Sequence, residues 1–372
     1  MILIKVLLTI SITTVFSSLV FAQNEVNSND ENYQQNNKSS NNAERLNASG
    51  LLQSRYEYTF LKDYEDLSSF YLRRIRLDFS GQLFGEQISY RIRPEFARTV
   101  GLEDAWINYA YNAQAQSRFG LVPVPFHWYR FISSSRHHFV ERGVPSETFG
   151  FPSGRDFGLM FHGRNEKNTL SYQAGIFDGA GPGFTQSNSS GNVISGRLVA
   201  AVNGEVPEDE TALEHFAEPN LSFGLGIQAA NKNESRDWAI GRTALGNNRA
   251  DWITGTSDIS LRWMGLSVTA DGFLRKVNPE AIDVDDYHGW AYMTSAGYFI
   301  KPQRLELVAR YSDLRLDAED PDTNESEMGI GLNIYHRDHD LKTRIQYLSQ
   351  YDQGDIDFGQ DAYFLVEVQL KF

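Results

Sequence analysis

Residues 362–372, AYFLVEVQLKF, constrain what this chain can fold into more than any other stretch. Phe364, Val366, Val368, Leu370 and Phe372 fall on alternate positions, so in a strand they share one face. Glu367, Gln369 and Lys371 fall on the other. One face suits hydrocarbon and the other suits water, which is the dyad pattern of a strand that crosses a membrane in a closed barrel. A strand that stops on an aromatic residue is also the expected signal for outer-membrane barrel assembly.

Bulk properties conceal this. The mean hydropathy is −0.42, and beyond the N-terminus no apolar run approaches the roughly 20 residues that a spanning helix needs. Half-apolar strands escape that test because their two faces cancel in any window. The 18 Tyr, 24 Phe and 6 Trp are enough to build aromatic girdles at both interfaces. A net charge of −14 argues against nucleic acid as a partner. It does not decide which ions a pore would pass, because a solute feels only the residues along its path. With no Cys, disulfides and thiolate metal sites are excluded.

Lys5, the apolar run 6–20 and the small-residue site before Gln23 read as a signal peptide over residues 1–22. The Asn/Ser/Gln-rich stretch 23–49 cannot bury a core and reads as a disordered spacer. Residues 50–372 form one all-β domain. Strands are expected at 53–60, 70–80, 88–97, 102–111 and 117–122. After a long interruption at 123–155 they resume at 156–163, 169–177, 193–202, 221–230, 257–263, 266–276, 288–300, 305–314, 327–335, 341–351 and 362–372. The total is about sixteen, an even number as expected of such a barrel. Short turns at 264–265, 301–304 and 336–340 alternate with long loops at 178–192, 231–256, 277–287, 313–326 and 352–361. The connection 203–220 breaks that asymmetry by being long at the turn end.

The polar faces of the strands carry the chemistry. Arg74 and Arg76 on the second strand and Arg91 and Arg93 on the third are expected side by side, as a ladder for anions along one wall. By the same parity Arg197, Arg262, Arg275, Arg310, Lys342 and Arg344 point inward, while Arg73 falls on the lipid side near a strand end, where it could snorkel. Asp78, Glu95, Asp104 and Glu306 share the inner face and could instead neutralise the arginines. The segment 123–155 is the candidate constriction loop. Folded inward, it would bring Arg130, Arg136, Arg142 and Arg155 towards the ladder.

At these residues the chain resembles the phosphate-selective porin O/P family. The matching stretches are FYLRRIRLDFSGQLFGE (70–86), LEDAWINY (102–109), FGLVPVPF (119–126), SSSRHHFVERG (133–143), GRDFGLMFHG (154–163), YQAGIFDGAG (172–181), SAGYFI (295–300), LELVARYS (305–312) and EMGIGLNIY (327–335). The resemblance implies a sixteen-stranded trimeric porin with a third loop folded into a basic lumen. Arg73, Arg74 and Arg76 match the family's basic second-strand motif, and Glu141, Arg142 and Arg155 match positions of its third-loop region. Val122 and Val124 stand where relatives often carry basic or polar residues, and His137 and His138 add a pair.

The expected function is therefore passive diffusion of small, phosphate-like anions through an outer-membrane homotrimer set in lipid, with no reaction and no cofactor. The alternatives are a general diffusion porin without marked anion preference, or a barrel enzyme or adhesin. An enzyme would have to draw on Ser133 to Ser135 with His137 and His138, and such a constellation is recognised by geometry rather than by proximity in sequence. His336 and His339 in HRDHD read as residues of a solvated turn rather than as metal ligands.

Overall fold

The computed structural model describes residues 45–61, 64–85, 87–97, 101–151, 154–182, 191–234, 249–280, 285–320, 324–352 and 361–372. The two-residue alternation produces sixteen strands. They are β1 (Arg45–Phe60), β2 (Leu67–Leu83), β3 (Ile88–Glu95), β4 (Gly101–Ala110), β5 (Gln116–Pro123), β6 (Arg155–Arg164), β7 (Leu170–Phe177) and β8 (Val193–Val202). The second half comprises β9 (Asn220–Glu234), β10 (Arg249–Trp263), β11 (Leu266–Pro279), β12 (Tyr287–Lys301), β13 (Leu305–Arg315), β14 (Asn324–Arg337), β15 (Leu341–Asp352) and β16 (Asp361–Lys371). Each lies beside its neighbour in the chain, and β1 pairs with β16, so the sheet is a closed barrel. Closure leaves no sheet edge, which is the condition for strands to stand in lipid. No helix among the described residues is long and apolar enough to cross a membrane.

The seam shows why the last strand matters. Leu51 to Phe60 run in antiparallel register with Lys371 to Ala362. Gly50 and Phe372 exchange two backbone hydrogen bonds of 2.7 and 3.1 Å. The Phe372 ring covers Gly50 so closely that a Cβ there would stand 2.4 Å from it. On the inner side Gln53 donates to Gln369 (2.8 Å), and Arg55 to Glu367 (2.8 Å). On the outer side Phe364 and Val368 are exposed, as are Ile107, Phe119, Leu225, Leu274 and Ile330 in other strands. Tyr109, Tyr111, Trp263 and Tyr298 stand exposed near the turn end, where a girdle belongs.

Met264 and Gly265, both with positive φ (47° and 81°), close the expected two-residue hairpin. Boundaries move in two places. β1 starts at Arg45, inside the stretch expected to be spacer, and the rest of that stretch and the signal peptide lie outside the described residues. β9 and β10 run to Glu234 and Arg249, which face each other in register, so much of the expected loop 231–256 is strand. Ala250 and Trp252 continue the buried alternation there, and the polar residues around them hid it.

Candidate functional site

Residues 124–151 leave β5, enter the barrel and lie against the inner wall of β8 to β16. A loop buried in this way must find partners for its backbone, and inward side chains of the wall supply them. Ser195 donates to the Pro125 carbonyl (2.8 Å), Gln228 and Arg275 to that of Phe149 (2.9 and 2.8 Å), and Arg310 to that of Glu141 (2.8 Å). Gln346 grips both sides of one turn, donating to the His138 carbonyl (2.8 Å) and accepting from the Val140 amide (2.9 Å). Phe139 is buried among Val308, Leu348 and Leu365. The inward arginines Arg197, Arg275, Arg310 and Arg344 that parity identifies are thus spent on ion pairs and on holding the loop, and Arg262 on Asn220 and the connection that follows β8. Arg310 lies over the Phe139 ring, pairs with Glu327 (2.6 Å) and is buried, so it is not on the open path expected of it.

The long connection 203–219 holds the loop from the turn end. Its Glu210 is fully buried, accepts from the Tyr129 hydroxyl and from the His138 amide (2.8 Å), and lies 3.2 Å from the His138 ring. Glu306 of β13 stands 3.3 Å from the other ring nitrogen, while Ser267 and Ser295 complete the shell and His137 adjoins Glu210 at 3.5 Å. Burial alone would push His138 down, but the two carboxylates outweigh it and raise it to about 10. A folded-state value above the ordinary 6.5 means that this stabilisation is complete below pH 6.5 and is lost as pH rises towards 10. Melting curves in detergent should therefore fall from pH 7 to 9 more steeply for the natural chain than for His138→Gln. Equal slopes would show that His138 is neutral in the fold. The connection is held in turn by Asp209 on His339 (2.6 Å), while His336 bonds Thr343 (3.0 Å). The two histidines of HRDHD thus serve different partners.

Glu141 is the charged hub at the other side of the loop. Arg55 (2.6 Å), Arg73 (2.5 Å) and Arg74 (3.6 Å) converge on it. Burial would raise its carboxyl, but these guanidiniums hold it far below the usual range. Arg73 therefore faces the lumen, not lipid as strict parity expects. Tyr71 and Arg73 reach Arg55 and Glu141, and Arg74 and Arg76 also reach inward, so the alternation slips by one residue, as at a β-bulge. At the same level the Ile75 amide is taken by the Glu95 carboxylate (2.8 Å). Arg74 is buried between Gln53 and Glu141, away from the open path.

The expected ladder of four adjacent guanidiniums is instead a lattice of alternating charge. Arg76 stands opposite Glu95 and Arg91 opposite Ser80, so the register keeps the arginines apart. Arg76 pairs with Glu95 (2.8 Å) and Glu103, and Asp78 bridges Arg91 (2.9 Å) and Arg93 (2.5 Å). Asp104 bridges Arg93 (3.0 Å) and Arg155 (2.8 Å). Glu103 was not expected inside. The register shifts between β3 and β4 at Arg93/Pro94, which lets two consecutive acids of β4 turn inward. From the loop, Arg130 pairs with Glu147 (3.0 Å), Arg142 lies 3.8 Å from the same carboxylate, and Arg136 lies 3.8 Å from Glu208. Burial lowers Arg142 to about 9.

Between this wall and the loop lies a cavity of about 540 Å³. Arg76, Arg91, Arg93, Arg130, Arg136, Arg142 and Arg155 line it, so loop and wall arginines meet on one path. Two more that were not anticipated, Arg118 and Arg164, lie towards the turn end. Among the described residues neither has a carboxylate within 4.0 Å. Arg118 lies 4.1 Å over the Trp106 ring, and its Nε donates to Asn108 (3.3 Å), which Gln116 (2.9 Å) and His162 (2.7 Å) steady. The same alternation that placed Arg91 would have found Arg118, because Arg118, Gly120 and Val122 share a face of β5.

Ser133 to Ser135 do not meet the paired histidines as a nucleophile would. Ser133 and Ser135 bond each other (2.9 Å), and Ser134 accepts from Arg76 (3.1 Å). A different series does form, Ser146 to His127 Nδ1 (3.3 Å) and His127 Nε2 to Asp271 (2.9 Å). Ser146 and His127 are fully buried, which leaves no room for a substrate beside the hydroxyl, and burial lowers His127 to about 3. The series anchors the loop to β11.

A closed sixteen-strand barrel with an apolar outside, a charged inside and a loop folded into it defines a porin. A family model for phosphate-selective porin O and P matches residues 46–354. The chain belongs to that family and is an outer-membrane porin. No curated protein sequence matches it. Among solved structures, the anion-selective porin from Comamonas acidovorans is 13% identical with a TM-score of 0.63, over 89% of this chain and 100% of that chain. OmpT of Vibrio cholerae in its trimer form is 11% identical with a TM-score of 0.59, over 89% and 100%. The outer membrane channel DcaP of Acinetobacter baumannii is 11% identical with a TM-score of 0.57, over 90% and 99%. At these identities the likeness is one of fold.

Proposed function

We propose that this porin passes small anions by diffusion, phosphate-like solutes among them, along the cavity between the loop and the wall of β2 to β7. One observation carries the reading. Among the described residues nine arginines line that cavity, against two carboxylates, Asp104 and Glu208. Arg-lined pores favour anions, and the guanidinium fork suits oxyanions. The porin from Comamonas acidovorans that this chain resembles in fold is anion-selective, which agrees with the reading. A general diffusion pore without marked preference is the second reading, favoured by the carboxylates that answer seven of the nine arginines.

Arg118 separates the two. Reversing one charge about 6 Å from the path changes the energy of a monovalent ion by about 1.4 kcal/mol at the dielectric of water, or about tenfold in permeability. Arg118→Glu should lower the chloride-to-potassium permeability ratio by up to about a hundredfold, because the reversal acts on the two ions in opposite directions. An unchanged ratio would favour the second reading.

The homotrimer and export through a signal peptide at residues 1–22, followed by a spacer that ends before Arg45, belong to the same proposal. The trimer form of the similar OmpT supports the first, and the charged, apolar and small-residue order of the N-terminus supports the second.

A further inference from the structure

The arginine cavity is partly apolar. Besides the arginines, it is lined by Phe131 and Ile132 of the loop and by Val206 and Pro207 of the connection. Beneath them a smaller recess of about 70 Å³ shares those four residues and continues between Trp128 and Val199. A compact hydrated anion gains nothing from such a surface, whereas an apolar body does. Among the described residues only the Nε of Arg118 is engaged, on Asn108, and with the guanidinium lying over the Trp106 ring its two Nη groups are left for a carboxylate.

We propose that the cavity binds organic anions, the carboxylate on Arg118 and an aromatic or aliphatic body against Phe131, Ile132 and Pro207, in preference to compact inorganic anions. This rests on the anion-passing reading above and narrows its solute class. Arg118 and most of the other cavity arginines come from the wall, Arg130, Arg136 and Arg142 from the loop, and the apolar face from two segments that the fold brings inward, the loop and the connection.

Block of the chloride current through the full channel in planar bilayers tests it, with benzoate, acetate and inorganic phosphate as probes. Benzoate should half-block at a concentration about tenfold below that of acetate, since partial burial of one ring is worth about that factor. Phe131→Ser should bring benzoate and acetate within about twofold of each other, a ratio that loss of folded channels cannot imitate. Arg118→Gln should raise the half-blocking concentration of both. Equal block by benzoate and acetate in the natural chain, or phosphate blocking below benzoate, would overturn the organic-anion assignment while leaving an anion-selective pore in place. Cation selectivity would instead remove the anion-passing reading, and this assignment with it.

Discussion

Glu210→Ala should turn a quiet channel into a noisy one with a higher mean conductance. The carboxylate is buried where the connection 203–219 meets the loop, and it serves the Tyr129 hydroxyl, the His138 amide and both neighbouring imidazoles. Truncating one partner of a buried charged cluster costs about 3–5 kcal/mol, because the groups left behind are neither paired nor solvated. Here that cost falls on the contact between loop and connection rather than on the strand ladders. The loop would then sample positions away from β11 to β13, and single-channel records would show it as added current noise. Glu210→Gln keeps the shape and part of the hydrogen bonding, so it should lie between. A quiet Glu210→Ala channel of unchanged conductance would mean that the wall alone holds the loop.

Glu141→Gln should have the second large effect, on selectivity as well as stability. Arg55, Arg73 and Arg74 share this carboxylate, and Arg55 and Arg74 are buried. Among the described residues only Arg55 of the three keeps a second close carboxylate, Glu367. Removing the charge leaves the cluster more positive by one, which should raise the chloride-to-potassium ratio by about threefold to tenfold and lower the melting temperature. The sign with pH follows from the depressed carboxyl. Its contribution is present above the ordinary 4.5 and is lost only as pH falls through a much lower folded value. The natural channel should accordingly keep its melting temperature through mild acid, and a melt already collapsing near pH 5 would show that the hub is not ionic.

Most of the barrel was legible in the alternation of apolar and polar residues, since a period of two states directly which side chains meet lipid. All sixteen strands lie near the expected stretches, and the inward arginines of β8 and β10 to β15 are inward. Parity failed where a strand departs from its period. The slip near Arg73 and the register shift beside Glu103 each add an inward charge that regular alternation sends to the other face, and both charges belong to the candidate site. The ladder failed for a related reason. Inward arginines on adjacent strands touch only if the register aligns them, and register is set by the turn and the bulges rather than by the arginines. The role of 203–219 could not be read at all. Glu210 looks like one acid in an acidic run until the fold places it beside two histidines more than seventy residues away in the chain.

The most direct test of the pore is the zero-current potential of the natural channel in a bilayer separating two KCl concentrations. Nine cavity arginines predict that chloride carries most of the current, so the dilute side should become negative relative to the concentrated side. A dilute side that becomes positive would mean that potassium carries it, and that the carboxylates of the lattice, not its arginines, set what passes.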